Sequence, residues 1–283
     1  MDLDTLLRRA LSLADDGDWA TAADLLREQL ADFADEPSVH CALGVAEREL
    51  GNDGVAYECF KKALELHPED PYVLATAGNG VALFDDPDAM EALKSAALLA
   101  PDLPLTRMLY GAYLAREGLH DWAIEQLEAA RELDPTDSQI AYELGVAFAL
   151  SGRVGHAADS MGEAAQLDPG DGWTRVLYGL VLLEDDRLDE AAGELVEGAR
   201  LRPLDVEAQI LAALAACATG LEGGSYEMLE RARLRALELD LELDLELVDS
   251  AEEHMEAGAG DAATLLSDDV QPEALRVRLK ERP

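Results

Sequence analysis

Six alanines recur along the 283-residue chain at nearly constant intervals: Ala22, Ala56, Ala89, Ala123, Ala157 and Ala191, with gaps of 34, 33, 34, 34 and 34 residues. Pro68, Pro101, Pro135, Pro169 and Pro203 keep the same period, and so do Gly44, Gly78, Gly111, Gly145 and Gly179. A period of this length belongs to stacked supersecondary units, because one such unit cannot bury its own hydrophobic face. The chain is expected to fold as an array with a shared core.

Residues 138–171 show what one unit is. Apolar residues at helical spacing run from Ile140 to Leu150, and Ser151-Gly152 breaks the run as a helix C-terminal glycine does. A second helical run extends from about Val154 to Leu167. Leu167-Asp168-Pro169 ends it, because proline cannot continue a helix and restricts the residue before it. Each unit reads as two short antiparallel helices. Gly145 and Ala157 sit where the backbones must approach; a larger side chain there costs about 1–3 kcal/mol through overpacking. Leu144, Phe148 and Met161 fill the space between the helices, and Phe60, Leu93, Leu127, Met161 and Leu195 share one slot.

These residues resemble the tetratricopeptide repeat family, whose pattern is Trp, Leu-Gly, Tyr, Ala, Phe and Pro within 34 residues. Residues 37–70 carry Leu43-Gly44, Ala56, Phe60 and Pro68 in register, and residues 138–171 carry Leu144-Gly145, Phe148, Ala157, Met161 and Pro169. The Trp slot departs, holding His40, Leu74, Arg107, Ala141 and Arg175, and the Tyr slot holds Glu47 and Val81 in two units. The resemblance extends over residues 3–238 and implies an all-α, right-handed solenoid of stacked helix–turn–helix repeats. Residues 1–36 read as a degenerate N-terminal repeat, followed by five repeats at 37–70, 71–103, 104–137, 138–171 and 172–205. A capping helix pair at 206–238 and an acidic tail at 239–283 complete the chain.

From Leu237 the pattern changes. Leu237, Leu239, Leu241, Leu243, Leu245 and Leu247 alternate with Glu or Asp. Period two places the leucines on one face of a strand but scatters them around a helix. Against a strand, Leu and Glu favour helices and Asp is poor in sheets. Near the C-terminus Leu275, Val277 and Leu279 alternate with Arg276, Arg278 and Lys280, so the two segments would pair leucine with leucine and acid with base. A small two-stranded β element is the first expectation, with a short helix at 249–258 and a loop containing Pro272 between the strands; the alternative is a long acidic helix followed by a frayed tail.

The net charge of −38, from 60 acidic and 22 basic residues, repels phosphate backbones and argues against nucleic-acid binding. It also disfavours anionic membrane surfaces, and no apolar stretch is long enough to insert into a bilayer. The acidic surface serves either solubility, including salt adaptation in a halophile, or the steering of a basic partner. With aromatic residues at 5%, the core must be built from Ala and Leu. Cys41, Cys59 and Cys217 give no disulfide framework and no C-x-x-C pair, and the acidic N-terminus lacks a signal-peptide pattern. A reducing, cytoplasmic setting is expected.

Chemistry-bearing motifs are absent. His40, His67, His120, His156 and His254 stand at unrelated spacings, without H-x-x-x-H or H-E-x-x-H. Gly78-Asn79-Gly80 follows no strand, and Asp168-Pro169-Gly170-Asp171-Gly172 lacks the ligand alternation of a calcium loop. No catalytic residue, cofactor or metal site is assigned, and the chain is read as a non-enzyme.

The resemblance places the first helix of each repeat along a concave groove. By that analogy the partner-binding residues are Tyr72, Asn79, Leu105, Met108, Tyr142, Val146, Trp173, Val176 and Leu180. No basic residue stands there to clamp a peptide carboxylate. An apolar groove with an acidic rim suits a basic or amphipathic peptide or helix, so the expected role is an adaptor, assembly scaffold or chaperone that binds a protein partner. The alternative is a structural subunit that forms a homo-oligomer, or joins a larger complex, through residues 237–283.

Overall fold

Six helices begin where the sequence supplies an acceptor for their unpaired first-turn amides. In the computed structural model, which describes residues 1–221 and 224–280, Asp2, Asp18, Asp70, Asp137, Asp171 and Asp205 each accept a hydrogen bond from an amide of the following helix. An aspartate at this position stabilises a helix by roughly 1 kcal/mol relative to alanine, so part of the acidic excess serves the backbone. Asp168 and Asp171 show this directly. Asp168 Oδ1 accepts from the Gly170 amide and Asp171 Oδ1 from the Trp173 amide, so the calcium-like run is a turn and a helix cap.

The chain divides into two compact units, one of Met1–Glu117 with Glu125–Asp134, the other of Gly118–Ile124 with the chain from Pro135 onward. The first contains α1 (Leu3–Asp15), α2 (Trp19–Gln29), α3 (Pro37–Glu49), α4 (Asp53–Glu65), α5 (Pro71–Ala82), α6 (Asp88–Leu99), α7 (Pro104–Arg116) and most of α8 (His120–Leu133). One contact recurs in its core. Phe60 of α4 lies against Gly44 of α3 and Gly80 of α5, where an added Cβ would stand 2.7 Å and 2.2 Å from the ring. Leu93 of α6 meets Gly78 of α5 in the same way, at 3.1 Å.

The second unit contains α9 (Ser138–Leu150), α10 (Val154–Leu167), α11 (Gly172–Glu184), α12 (Leu188–Leu201), α13 (Val206–Thr219), α14 (Ser225–Leu239), α15 (Glu242–Ala257), α16 (Ala259–Leu265) and, after a π-helical turn at Leu266–Val270, α17 (Gln271–Arg278). Met161 of α10 meets Gly145 of α9 with 2.8 Å for an added Cβ, and Leu195 of α12 meets Gly179 of α11 with 2.6 Å. At Gly44, Gly78, Gly145 and Gly179 the periodic glycine and the residue of the Phe slot are therefore two sides of one repeated contact.

The glutamate in the Tyr slot has a local cause. Glu47 is fully buried, and its carboxylate accepts from Arg27 Nε of α2 and Asn52 Nδ2, each at 2.9 Å. A charge-assisted pair here joins α2 to α3 where the family pattern uses an aromatic ring.

The expected two-stranded element is not formed; among the described residues there are helices and no strands. Leu237 and Leu239 end α14, Asp240 turns the chain with φ 57°, and α15 starts two residues later. The turn resets the helical phase, so the alternation is shared between two helices. Leu241, Leu245 and Leu247 pack against the core, while Leu237, Leu239 and Leu243 stay exposed. Residues 249–257 continue α15, and Pro272 lies in the first turn of α17, where its missing N–H has no helical partner to lose. A helix satisfies its own backbone, whereas an isolated pair of strands leaves two open edges.

Candidate functional site

In the first unit, α1, α2, α3 and the start of α5 enclose an apolar hollow of about 270 Å³. Leu7, Leu11, Trp19, Ala42, Val45 and Tyr72 line it, with Ser38 and Asp70 as polar groups. Small side chains such as Ala10, Ala14 and Ala42 leave the space open between the helices. Leu11 and Tyr72 are 62% and 56% exposed, so the site keeps apolar surface in water. An apolar lining with few polar groups is what holds a hydrophobic anchor. A larger hollow of about 900 Å³, bounded by α4, α5 and α6, carries Glu65, Glu69, Asp88 and Glu91; four carboxylates keep their hydration and make it a poor apolar receptor.

Cys41 also lines the apolar hollow. Burial pushes its pKa up to about 12, and burial likewise raises Cys59, on α4, to about 11. At pH 8 a thiol of pKa 12 is ionised in about one molecule in ten thousand, and the thiolate is the reactive species. Neither cysteine is expected to react with iodoacetamide at pH 8 until urea unfolds the first unit, as peptide mass spectrometry would show; rapid labelling of the native protein contradicts this.

The structure distributes the nine groove residues unevenly. Tyr72 lies at the apolar hollow. Asn79 on α5 and Leu105 on α7 are half-buried and Met108 is buried; none of the three lines the hollow. In the second unit Tyr142, Val146, Val176 and Leu180 are brought together in one cluster, with Trp173 packed against it. Val248, Leu266, Val270 and Leu279 of the C-terminal segment belong to the same cluster. These residues are thus covered by the chain itself. Trp173 Nε1 donates to the Tyr142 hydroxyl at 2.9 Å and joins α11 to α9.

Several polar residues around Trp173 escape a reading based on spacing. Arg278 Nε donates to Glu207 at 2.6 Å, Arg278 Nη2 to Asp205 at 3.0 Å, and Gln271 Nε2 to Glu184 at 2.9 Å. Burial works against the Asp205 carboxylate, but the Arg278 charge, the Ala208 amide and Arg202 outweigh it and hold its pKa below the ordinary value. Burial also opposes the Arg278 charge, and Asp205 and Glu207 more than compensate. The signal in the sequence is the basic alternation at 275–280, whose acidic counterpart lies at 205–207 and not at 237–247. The basic cluster at 231–235 pairs internally: Arg231 with Gln209, Arg233 with Asp249 and Glu252, and Arg235 with Glu238.

Residues 7–71 and 111–172 match the tetratricopeptide repeat. Both stretches therefore carry tetratricopeptide repeats. Among solved structures, a chain of the APC/C hetero-tetramer Cut9–Hcn1 is similar with a TM-score of 0.68 and 18% identity, over 88% of this chain and 49% of that one. The present chain thus spans about half the length of that relative. A thermophilic TPR protein of Thermus thermophilus gives a TM-score of 0.55 and 24% identity, over 63% of this chain and 98% of that one. PilF of Pseudomonas aeruginosa gives 0.55 and 20%, over 71% and 91%. At such identities the likeness shows the fold alone. No curated protein sequence matches this chain. Tetratricopeptide repeats are in general non-catalytic modules for protein interaction and scaffolding. No helix among the described residues is long and apolar enough to cross a membrane.

Proposed function

We propose that this tetratricopeptide repeat protein is a non-enzymatic adaptor or assembly scaffold that receives a peptide or helix of a partner protein in the apolar hollow of its first unit. The observation that carries this reading is the exposure of Leu11 and Tyr72 at an apolar hollow of a chain with net charge −38. Water-exposed apolar surface is unfavourable unless something covers it, and the acidic surroundings select a partner with apolar anchors and basic flanks. The free cysteines support a reducing, cytoplasmic setting.

Twelve-residue peptides selected from a display library on the wild-type protein provide the test. The double variant Leu11→Glu/Tyr72→Ala is expected to bind them at least about tenfold more weakly, a loss of roughly 1.4 kcal/mol. The variant Leu98→Glu, at an exposed position of α6 that does not line the hollow, is expected to bind them unchanged. Equal loss in both variants, or loss in neither, removes the hollow from consideration.

A second reading rests on the corner between α14 and α15, where Leu237, Leu239 and Leu243 are exposed, the last by 80%. Close apolar side chains of this kind suit self-association or a place in a larger complex. Sedimentation velocity checks it: wild-type protein is expected to form a dimer that Leu237→Lys/Leu243→Lys returns to monomer, and a monomer in both cases leaves the corner without that role.

A further inference from the structure

The last helix of the second unit is held differently from those before it. α17 runs antiparallel to α11: Gln271 meets Glu184 at one end of α11, and the Arg278 guanidinium stands 4.7 Å from the Trp173 ring at the other. The buried residues of α17 are Gln271, Ala274 and Arg278, spaced i, i+3 and i+7. They form one stripe, continued by buried Leu279, while Glu273, Arg276 and Lys280 face solvent. This is the anchor pattern of an amphipathic helix lying in a groove.

Three features set α17 apart from a permanent part of the core. It has eight residues, too few for a stable helix in water, so its order depends on the dock. It is joined to α16 through the five-residue π-helical turn Leu266–Val270, a geometry found where a helix is locally mismatched. Its anchoring relies on a buried charged cluster that is incompletely satisfied: Arg278 Nη1 is buried without a hydrogen-bond partner. Desolvation consumes much of what such a cluster gains. Charge complementarity accounts for the choice of segment. Arg276, Arg278 and Lys280 are a rare basic run in this chain, and Glu184, Asp205 and Glu207 flank the face it covers.

We propose that the face formed by α11 and the start of α13 is a docking groove for a short basic helix, and that α17 occupies it in cis. A partner helix carrying glutamine, a small residue and arginine at i, i+3 and i+7, followed by leucine, would have to displace α17 to bind. The inference is independent of the apolar hollow in the first unit, and either can fail alone.

A fluorescein-labelled peptide of residues 266–280, followed by anisotropy, tests the groove in the full-length protein. Arg278→Glu in the protein opposes Asp205 and Glu207 and should free the groove, so this variant is expected to bind the wild-type peptide at least about tenfold more tightly than the wild-type protein does, whose groove is mostly filled. Gln271→Glu, which faces Glu184 with a second carboxylate, is expected to fall between the two. A peptide carrying Arg278→Glu should bind none of the three proteins. Hydrogen exchange should show amides 271–279 losing protection in Arg278→Glu while α11 and α13 keep theirs. Equal peptide affinity for all three proteins, or loss of protection in α11 and α13 together with α17, overturns the proposal by making α17 integral core. Exchange of α17 between two copies in a wild-type dimer overturns the cis assignment.

Discussion

Phe60→Ala is expected to lower the stability of the first unit by about 3–5 kcal/mol, the range for emptying a fully buried phenylalanine site. The size of the effect follows from what the ring touches. Phe60 is 1% exposed and lies against both Gly44 and Gly80, so it links α3, α4 and α5 at once. Glycine offers no side chain that could rotate into the space, and the helix backbones would have to close it themselves. Phe60→Leu should be milder, about 1–1.5 kcal/mol, because it keeps most of the volume and leucine fills the equivalent slot at Leu93 and Leu195. Native-state hydrogen exchange of α3 to α5 is the appropriate measurement, since a chain of two units need not unfold in one step. A loss below about 1 kcal/mol for Phe60→Ala would falsify the interlocking role.

Arg27→Ala should produce the second large effect, a loss of about 1–2 kcal/mol in the same unit. Removing one partner of a wholly buried pair costs about 3–5 kcal/mol; here Arg27 is 45% exposed while Glu47 is 1% exposed, and water around Arg27 screens part of the interaction. The loss arises because the buried Glu47 carboxyl group is left with Asn52 as its remaining described partner. The double variant Arg27→Leu/Glu47→Leu is expected to recover most of the stability, since no uncompensated carboxylate is left. Hydrogen exchange of α2 and α3 separates the two cases. If the double variant is as unstable as Arg27→Ala, packing and not charge explains the pair.

The helix pairs and their punctuation were readable in advance because they depend on local rules. Ile140–Leu150 and Val154–Leu167 follow from apolar spacing, a glycine and a proline, and the structure ends α9 and α10 at Leu150 and Leu167. The alternating leucines misled because period two is a strand signal only if the segment is one uninterrupted element. Asp240, with φ 57°, divides it, and nothing in the local pattern marks an aspartate as a left-handed turn. Of the expected groove residues, Tyr72 keeps its exposure and Tyr142, Val146, Val176 and Leu180 lose theirs. Helical position says which side of a helix a residue is on, but not what else in the chain comes to cover that side.

The sequence by itself determined the tetratricopeptide repeats, the helical class and the repeated meeting of a glycine with a large apolar residue, because these follow from spacing within about 34 residues. Tertiary structure alone decided which faces remain open. Gln271 reaches Glu184 across 87 residues and Arg278 reaches Asp205 across 73. Such pairings are selected by the charge and volume of two distant segments together, and neither segment reveals its partner when read alone.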